Sequence, residues 1–179
     1  MMFDTAKKRK EPPKPKPVKL SYLKASALHY LSSRTASREM LRAVLERRSK
    51  RRLQVRSLDA EIPALIETVL DEFVELGLLD DQRFAEGRRA TLERKGFSKR
   101  RIELGLKLKG LDAETIRGAL VDEVDEAAQA RRFAERRRLG PWRKSGAVED
   151  RYKKDLGALM RAGFSFTIAK QALAEPDEA

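Results

Sequence analysis

The chain has no cysteine, a single histidine and a single tryptophan. Without thiols there are no disulfides, thiolate nucleophiles or thiolate metal sites, and the expected compartment is a reducing cytoplasm. His29 alone cannot build a histidine metal cluster. Long apolar runs are also missing: nothing approaches the roughly 18 residues that cross a bilayer, and the basic N-terminus is not followed by the apolar stretch of a signal peptide. A soluble, non-secreted protein is expected. No GxxxxGK[ST] phosphate loop, HExxH, GxSxG or zinc spacing occurs, so neither a catalytic residue nor a cofactor or metal site can be nominated. Acidic residues are few beside basic ones. The 40 Lys+Arg against 28 Asp+Glu leave a net charge of +12, an excess that favours polyanions such as nucleic acid or an acidic protein surface. Charged residues of both signs, 38% of the chain, equally describe solvated helix faces, so charge alone does not choose a partner.

What the chain does have is helical periodicity. Residues 1–19, MMFDTAKKRKEPPKPKPVK, hold most of the prolines and almost no apolar side chains; they read as a disordered basic arm, either a tether to phosphate or a solubilising tail. Residues 175–179 form a short acidic tail. Between them apolar residues recur at three and four, as in Leu41, Val44 and Leu45, or Leu65, Val69, Leu70 and Phe73. The spacing predicts helices at about 20–32, 37–50, 62–76, 81–95, 99–109, 113–123, 125–139, 148–162 and 166–174, and no strand.

The joints between these helices repeat one pattern: GFSKRRIELGL from Gly96, GLDAETIRGAL from Gly110 and GFSFTIAKQAL from Gly163, with GLLDDQRFA from Gly77 a version one residue longer. In each, glycine ends a helix, an apolar residue follows, and Ser or Asp starts the next helix. The residue before a cap packs on the fourth residue inside the helix. That rule pairs Leu79 with Phe84 around Asp80, Phe97 with Ile102 around Ser98, and Leu111 with Ile116 around Asp112; after Phe164 and Ser165, Ile168 comes one position early. Asp80 is thus a helix cap, and Asp81 a first-turn charge on the positive end of the helix dipole, an interaction of about 0.3–1 kcal/mol. A nuclease-like acid pair would need further groups converging on it, and the sequence supplies none. Short helices repeating at a period of about 45–60 residues predict an all-α solenoid. The expected form is an elongated, curved array of three tandem three-helix repeats at 20–79, 80–124 and 125–174, with a concave face suited to wrapping a partner.

LDDQRFA at Leu79–Ala85, RKGFSKRRIELGLKLKG at Arg94–Gly110, LMRAGFSFTIAKQAL at Leu159–Leu173 and SREMLRAVL from Ser37 together resemble the bacterial RecX regulatory proteins, modulators of the RecA recombinase. The resemblance spans about Ser21 to Leu173, and its signature positions here are Asp80, Asp81, Phe84, Gly96, Gly110 and Gly163. It implies a non-enzymatic, cofactor-free protein that binds RecA and lies along the RecA–DNA filament, restraining its ATPase, strand-exchange and coprotease activities. Two segments depart from the family pattern: the Pro/Lys arm before Leu20 and the basic insertion SKRRLQVRSLDAE at 49–61.

The expected partner-binding residues, for the filament or for DNA phosphate, are Arg88, Arg89, Arg94, Lys95, Lys99, Arg100, Arg101 and Lys107. Arg94–Arg101 spans a corner, so its charges emerge beside the free amides of a helix start. Further basic blocks lie at 46–56 and 131–144. Trp142 is read either as a partner-stacking residue or as a cover for the junction between the second and third units. Any direct DNA contact is expected to be weak, sequence-tolerant and salt-sensitive. The alternative function is a helix-turn-helix-like nucleic-acid binder with Ser98–Lys109 as its reading helix, against which Ile102, Leu104, Leu106 and Leu108 stand as apolar residues on that segment. A monomer is expected, since a solenoid can cap its own ends.

Overall fold

The computed structural model describes residues 14–120, 125–143 and 151–174. Among them are nine α-helices and no strand: α1 Leu20–Leu31, α2 Arg38–Leu53, α3 Glu61–Glu75, α4 Asp81–Arg94, α5 Lys99–Lys107, α6 Ala113–Ala119, α7 Glu126–Arg137, α8 Tyr152–Arg161 and α9 Phe166–Leu173. Each follows the predicted segment to within a few residues. Differences arise where local chemistry extends or adds a turn. α2 continues to Leu53 before closing on Gln54 in the left-handed conformation, so the basic insertion begins as helix, over 49–53. A 3-10 turn over Gly140–Trp142 follows α7.

Side-chain caps start six of the nine helices, Asp125 serving α7. Ser37, Asp80, Ser98, Asp112 and Ser165 accept from Met40 N, Arg83 N, Arg101 N, Thr115 N and Ile168 N, at 3.2, 2.8, 3.2, 2.8 and 3.3 Å. Each satisfies one of the amides that a helix start leaves without a partner. Asp112 is held below the usual carboxylate range by the Thr115 amide. The four glycines of the corners all have positive φ, and α3, α4 and α8 end with paired backbone bonds around Gly77, Gly96 and Gly163.

Three hydrophobic clusters follow the helices in order. The first joins α1–α3 around Leu23, Leu41, Leu45, Ile66 and Leu70; the next joins α4–α6 around Leu92, Ile102, Leu106 and Ile116; the last joins α7–α9 around Phe133, Leu159, Phe164 and Leu173. This is the expected array of tandem three-helix units, each too small to bury much surface alone. Phe97 packs against both the second and third clusters, with its ring 5.9 Å from that of Phe133. Trp142 is partly buried against the third cluster.

Two expectations are corrected. Leu79 is buried in the first core, whereas Phe84 borders the second, so the pair expected around Asp80 is divided between cores. The reason is the closure of α3, where Leu78 and Leu79 both donate to the Phe73 carbonyl, at 2.8 and 3.0 Å, folding Leu79 back onto its own unit. The end of the basic arm is not a loose tail either: Val18 is buried in the first core, and Lys16 N donates to the Arg52 carbonyl at 3.1 Å. The rest of the arm at 1–13, the tail at 175–179, the predicted helix ends at 121–123 and 148–150 and the unit boundary at 124 lie outside the described residues.

Candidate partner-binding surface

The paired aspartates sit at the joint between the first two units, and they point to different helices. Asp80 caps its own helix, α4. Asp81 Oδ1 instead accepts from Arg38 N, the first residue of α2, at 2.8 Å. Beside it, the Ser37 hydroxyl donates to the Lys109 carbonyl at 2.6 Å while accepting from Met40 N. The start of α2 is therefore fastened to the second unit by two side chains. Sequence reading gave Asp81 only its dipole role, because an acceptor 43 residues away in sequence leaves no local signal.

Burial pushes the Asp81 carboxyl up, aided by the nearby charges of Asp112 and Asp80 and opposed by Arg38. A carboxyl held above its unfolded value binds its proton more tightly in the folded chain. Its contribution is complete below the unfolded value and is lost as pH rises through the folded one. Asp81→Asn keeps the acceptor and removes this slope, so its stability should fall less than wild type's between acidic and neutral pH. Asp81→Ala leaves the Arg38 amide without its partner and should lose about 1–2 kcal/mol at neutral pH. Urea titrations of both variants at two pH values check this; equal losses for Asn and Ala would show that the acceptor is not what matters.

The joint between the second and third units uses the same device one unit along. Ser98 starts α5, accepts from Arg101 N, and donates through its hydroxyl to the Ala162 carbonyl at 3.2 Å. Its backbone amide reaches the same carbonyl at 3.3 Å. Gly110 and Gly163, signature positions, are the corners that receive these contacts: a Cβ at Gly110 would stand 2.3 Å from Glu39 Cβ, and one at Gly163 2.2 Å from Ser98 Oγ. A Cβ at Gly96 would stand 3.1 Å from the backbone of Phe133.

This joint gathers the basic residues. Of those expected to bind a partner, Arg89 turns inward, donating to the Ala119 carbonyl at 2.7 Å and lying 3.3 Å from Glu93. Arg88 is half-buried, its Nε shielded from solvent. Arg94 folds back on its own helix, donating to the Ala90 carbonyl at 3.2 Å. Lys107 pairs with Glu103 at 2.8 Å one turn back. Lys95, Lys99, Arg100 and Arg101 form no ion pair among the described residues, and all but the half-buried Lys99 are exposed. From the third unit Arg136 donates to the Arg94 carbonyl. Arg94, Arg132, Arg136 and Arg138 line one depression of about 630 Å³ with Glu93 and Glu135. Two basic blocks distant in sequence are thus brought to one surface, and the contribution of α7 had no signal beyond its charge.

α5 has an exposed face of its own. Ile102 and Leu106 are fully buried, while Leu104 and Leu108 remain 45% and 74% exposed. One turn apart from Arg100 and beside Lys107, they give the helix an outward stripe of alternating apolar and cationic side chains.

Sequence comparison agrees with the fold. The family model described as RecX, second three-helix domain, matches residues 80–120, which are α4–α6. The regulatory protein RecX of Myxococcus xanthus is 39% identical over 172 residues, covering 93% of this chain and 92% of that protein. The chain belongs to the RecX family. The regulatory protein RecX of Agrobacterium fabrum is 32% identical over 159 residues, covering 89% and 85%. The crystal structure of RecX from Lactobacillus salivarius superposes with a TM-score of 0.63 at 21% identity, covering 86% of this chain and 94% of that one, a likeness of fold. RecX relatives bear the name of regulators rather than enzymes, and no helix among the described residues is long and apolar enough to cross a membrane.

Proposed function

We propose that this RecX-family chain regulates RecA by binding it along the RecA–DNA filament, as a monomer in the cytoplasm, and inhibits its ATPase, strand-exchange and coprotease activities. In this reading the units run from 20–79, 80–124 and 125–174, and the middle unit carries the contact. The observation that supports it is the outward stripe of α5, where Leu104 and Leu108 stay exposed among Arg100, Lys107 and the free cations of the α4–α5 corner. Protein interfaces combine apolar contact at their centre with Arg-rich, hydrogen-bonding surroundings. A reading helix in a DNA groove would present donors and acceptors to base edges, and two leucines offer neither. Arg100, Arg101, Lys95 and Lys99 make the polar contacts, with Lys107 beside the leucines; Arg88, Arg89 and Arg94 shape the surface behind them.

The test is a titration of RecA's single-stranded-DNA-dependent ATPase. Wild-type chain should suppress it at or below stoichiometric ratio. The triple variant Arg100→Glu, Leu104→Ser, Leu108→Ser should need about tenfold more protein, a loss of roughly 1.4 kcal/mol. If wild-type chain in stoichiometric excess left both ATPase and strand exchange unchanged, the reading would be abandoned.

A further inference from the structure

The basic arm and the basic insertion meet in space. Lys14–Lys19 runs extended along the last turn of α2. Lys16 N donates to the Arg52 carbonyl at 3.1 Å, and Arg52 Nε donates back to the Pro17 carbonyl at 2.9 Å. The Arg52 guanidinium lies 4.1 Å from the centroid of the Tyr22 ring, and Arg48 is fixed by the Ser26 carbonyl and hydroxyl, both at 2.7 Å. Around these contacts is a cleft of about 310 Å³ lined by Lys14, Lys16, Tyr22, Arg48, Arg51 and Arg52, with no carboxylate on its wall. Lys14, Lys16 and Arg51 are exposed and form no ion pair among the described residues.

We infer that this cleft is a phosphate-backbone site, through which the first unit holds duplex nucleic acid independently of the α5 surface. Three features set the ligand class. The cations come from a non-helical segment and a helix end lying side by side, a track that meets successive phosphates rather than a single anion. No large apolar side chain lines the cleft, so it lacks the dry centre that a protein partner needs and that the α5 stripe has. Its one aromatic ring is covered by Arg52, which removes the stacking platform that single-strand binders use. The site is therefore indifferent to base sequence and gains nothing from unstacked bases. Its exposed cations, Lys14, Lys16 and Arg51, all come from the arm and the insertion.

The experiment uses the full chain and a fluorescent mixed-sequence 20-base-pair duplex, with anisotropy read at several salt concentrations. A single-stranded oligonucleotide of the same length and an acidic peptide serve as competitors. Lys16→Glu with Arg51→Glu should weaken duplex binding by about tenfold or more and lower the salt slope by about two, one per lost phosphate contact. Thermal unfolding of this variant should match wild type, since neither side chain has a partner to lose. The Leu104→Ser, Leu108→Ser variant, which changes no charge, should bind the duplex as wild type does while weakening the ATPase effect, which separates this inference from the RecA reading. Unchanged duplex affinity in the Lys16/Arg51 variant would overturn the proposal. So would salt-insensitive binding, or displacement of the duplex by acidic peptide but not by unlabelled duplex.

Discussion

Gly163→Ala should destabilise the protein by about 3 kcal/mol, whereas Gly77→Ala, at a corner of the same type, should lose only about 1–2 kcal/mol. Both glycines have positive φ, 98° and 67°. Placing an L side chain in that region costs about 1–2 kcal/mol whatever surrounds it. Around Gly77 an added Cβ meets nothing within 4 Å, whereas at Gly163 it would stand 2.2 Å from Ser98 Oγ and 2.9 Å from Arg101 Cβ. Neither neighbour is the far end of a flexible chain: Ser98 is fully buried, and its hydroxyl is committed to the Ala162 carbonyl. The corner must withdraw from α5, loosening the bond that fastens the second unit to the third. In a linear array, stability is shared through such nearest-neighbour contacts. Trp142, the only tryptophan, packs half-buried against the third core, so its fluorescence should report unfolding of that unit at lower urea than far-UV dichroism reports for the whole chain. Equal losses at Gly77 and Gly163 would show that the joint carries no special load.

Arg143→Met should be comparably damaging, at about 3 kcal/mol, for a different reason. Asp155 is buried, and its carboxylate receives Arg143 Nη2 at 2.7 and 2.6 Å and the Gly140 amide at 2.9 Å. This arrangement ties the 3-10 turn after α7 to the first turn of α8. Removing the guanidinium leaves a buried carboxylate with a single amide partner, and breaking such a pair from one side typically costs about 3–5 kcal/mol; the 17% exposure of the Arg143 side chain favours the lower end. Replacing both, Arg143→Met with Asp155→Leu, should recover much of the loss, because a buried pair and apolar groups of similar volume are close to equivalent. Chemical denaturation followed by Trp142 fluorescence measures all three variants. A double variant less stable than Arg143→Met alone would mean that the Gly140 contact, rather than the ion pair, holds the turn.

Neither Arg143 nor Asp155 stands out in the sequence as one of a buried pair, and the reason is the same for both. Asp155 follows two lysines in a charged stretch and looks like any solvated acid. Its importance comes from α8 packing beside the end of α7, which no local pattern reports. The same holds for Asp81, whose neighbour Asp80 was legible as a cap because its amide partner is three residues away. The basic surface shows this at larger scale. Eight cations of one block were nominated as a group by proximity in sequence; the fold turns Arg89 inward, folds Arg94 back, pairs Lys107, and adds arginines from α7.

The sequence by itself determined the helices, their order, the capped glycine corners and the family, because each depends on residues within a few positions of one another: an apolar period of three and four, a cap and its amide, a glycine after a last turn. Only the tertiary structure decided which serine hydroxyls bridge units, where Asp81 and Asp155 find their partners, and which cations stay free. It also decided that the arm and the insertion form one cleft. Those outcomes depend on which carbonyl, carboxylate or helix end is brought within about 3 Å by packing, and hydrophobic periodicity says which face is buried without saying what that face will meet.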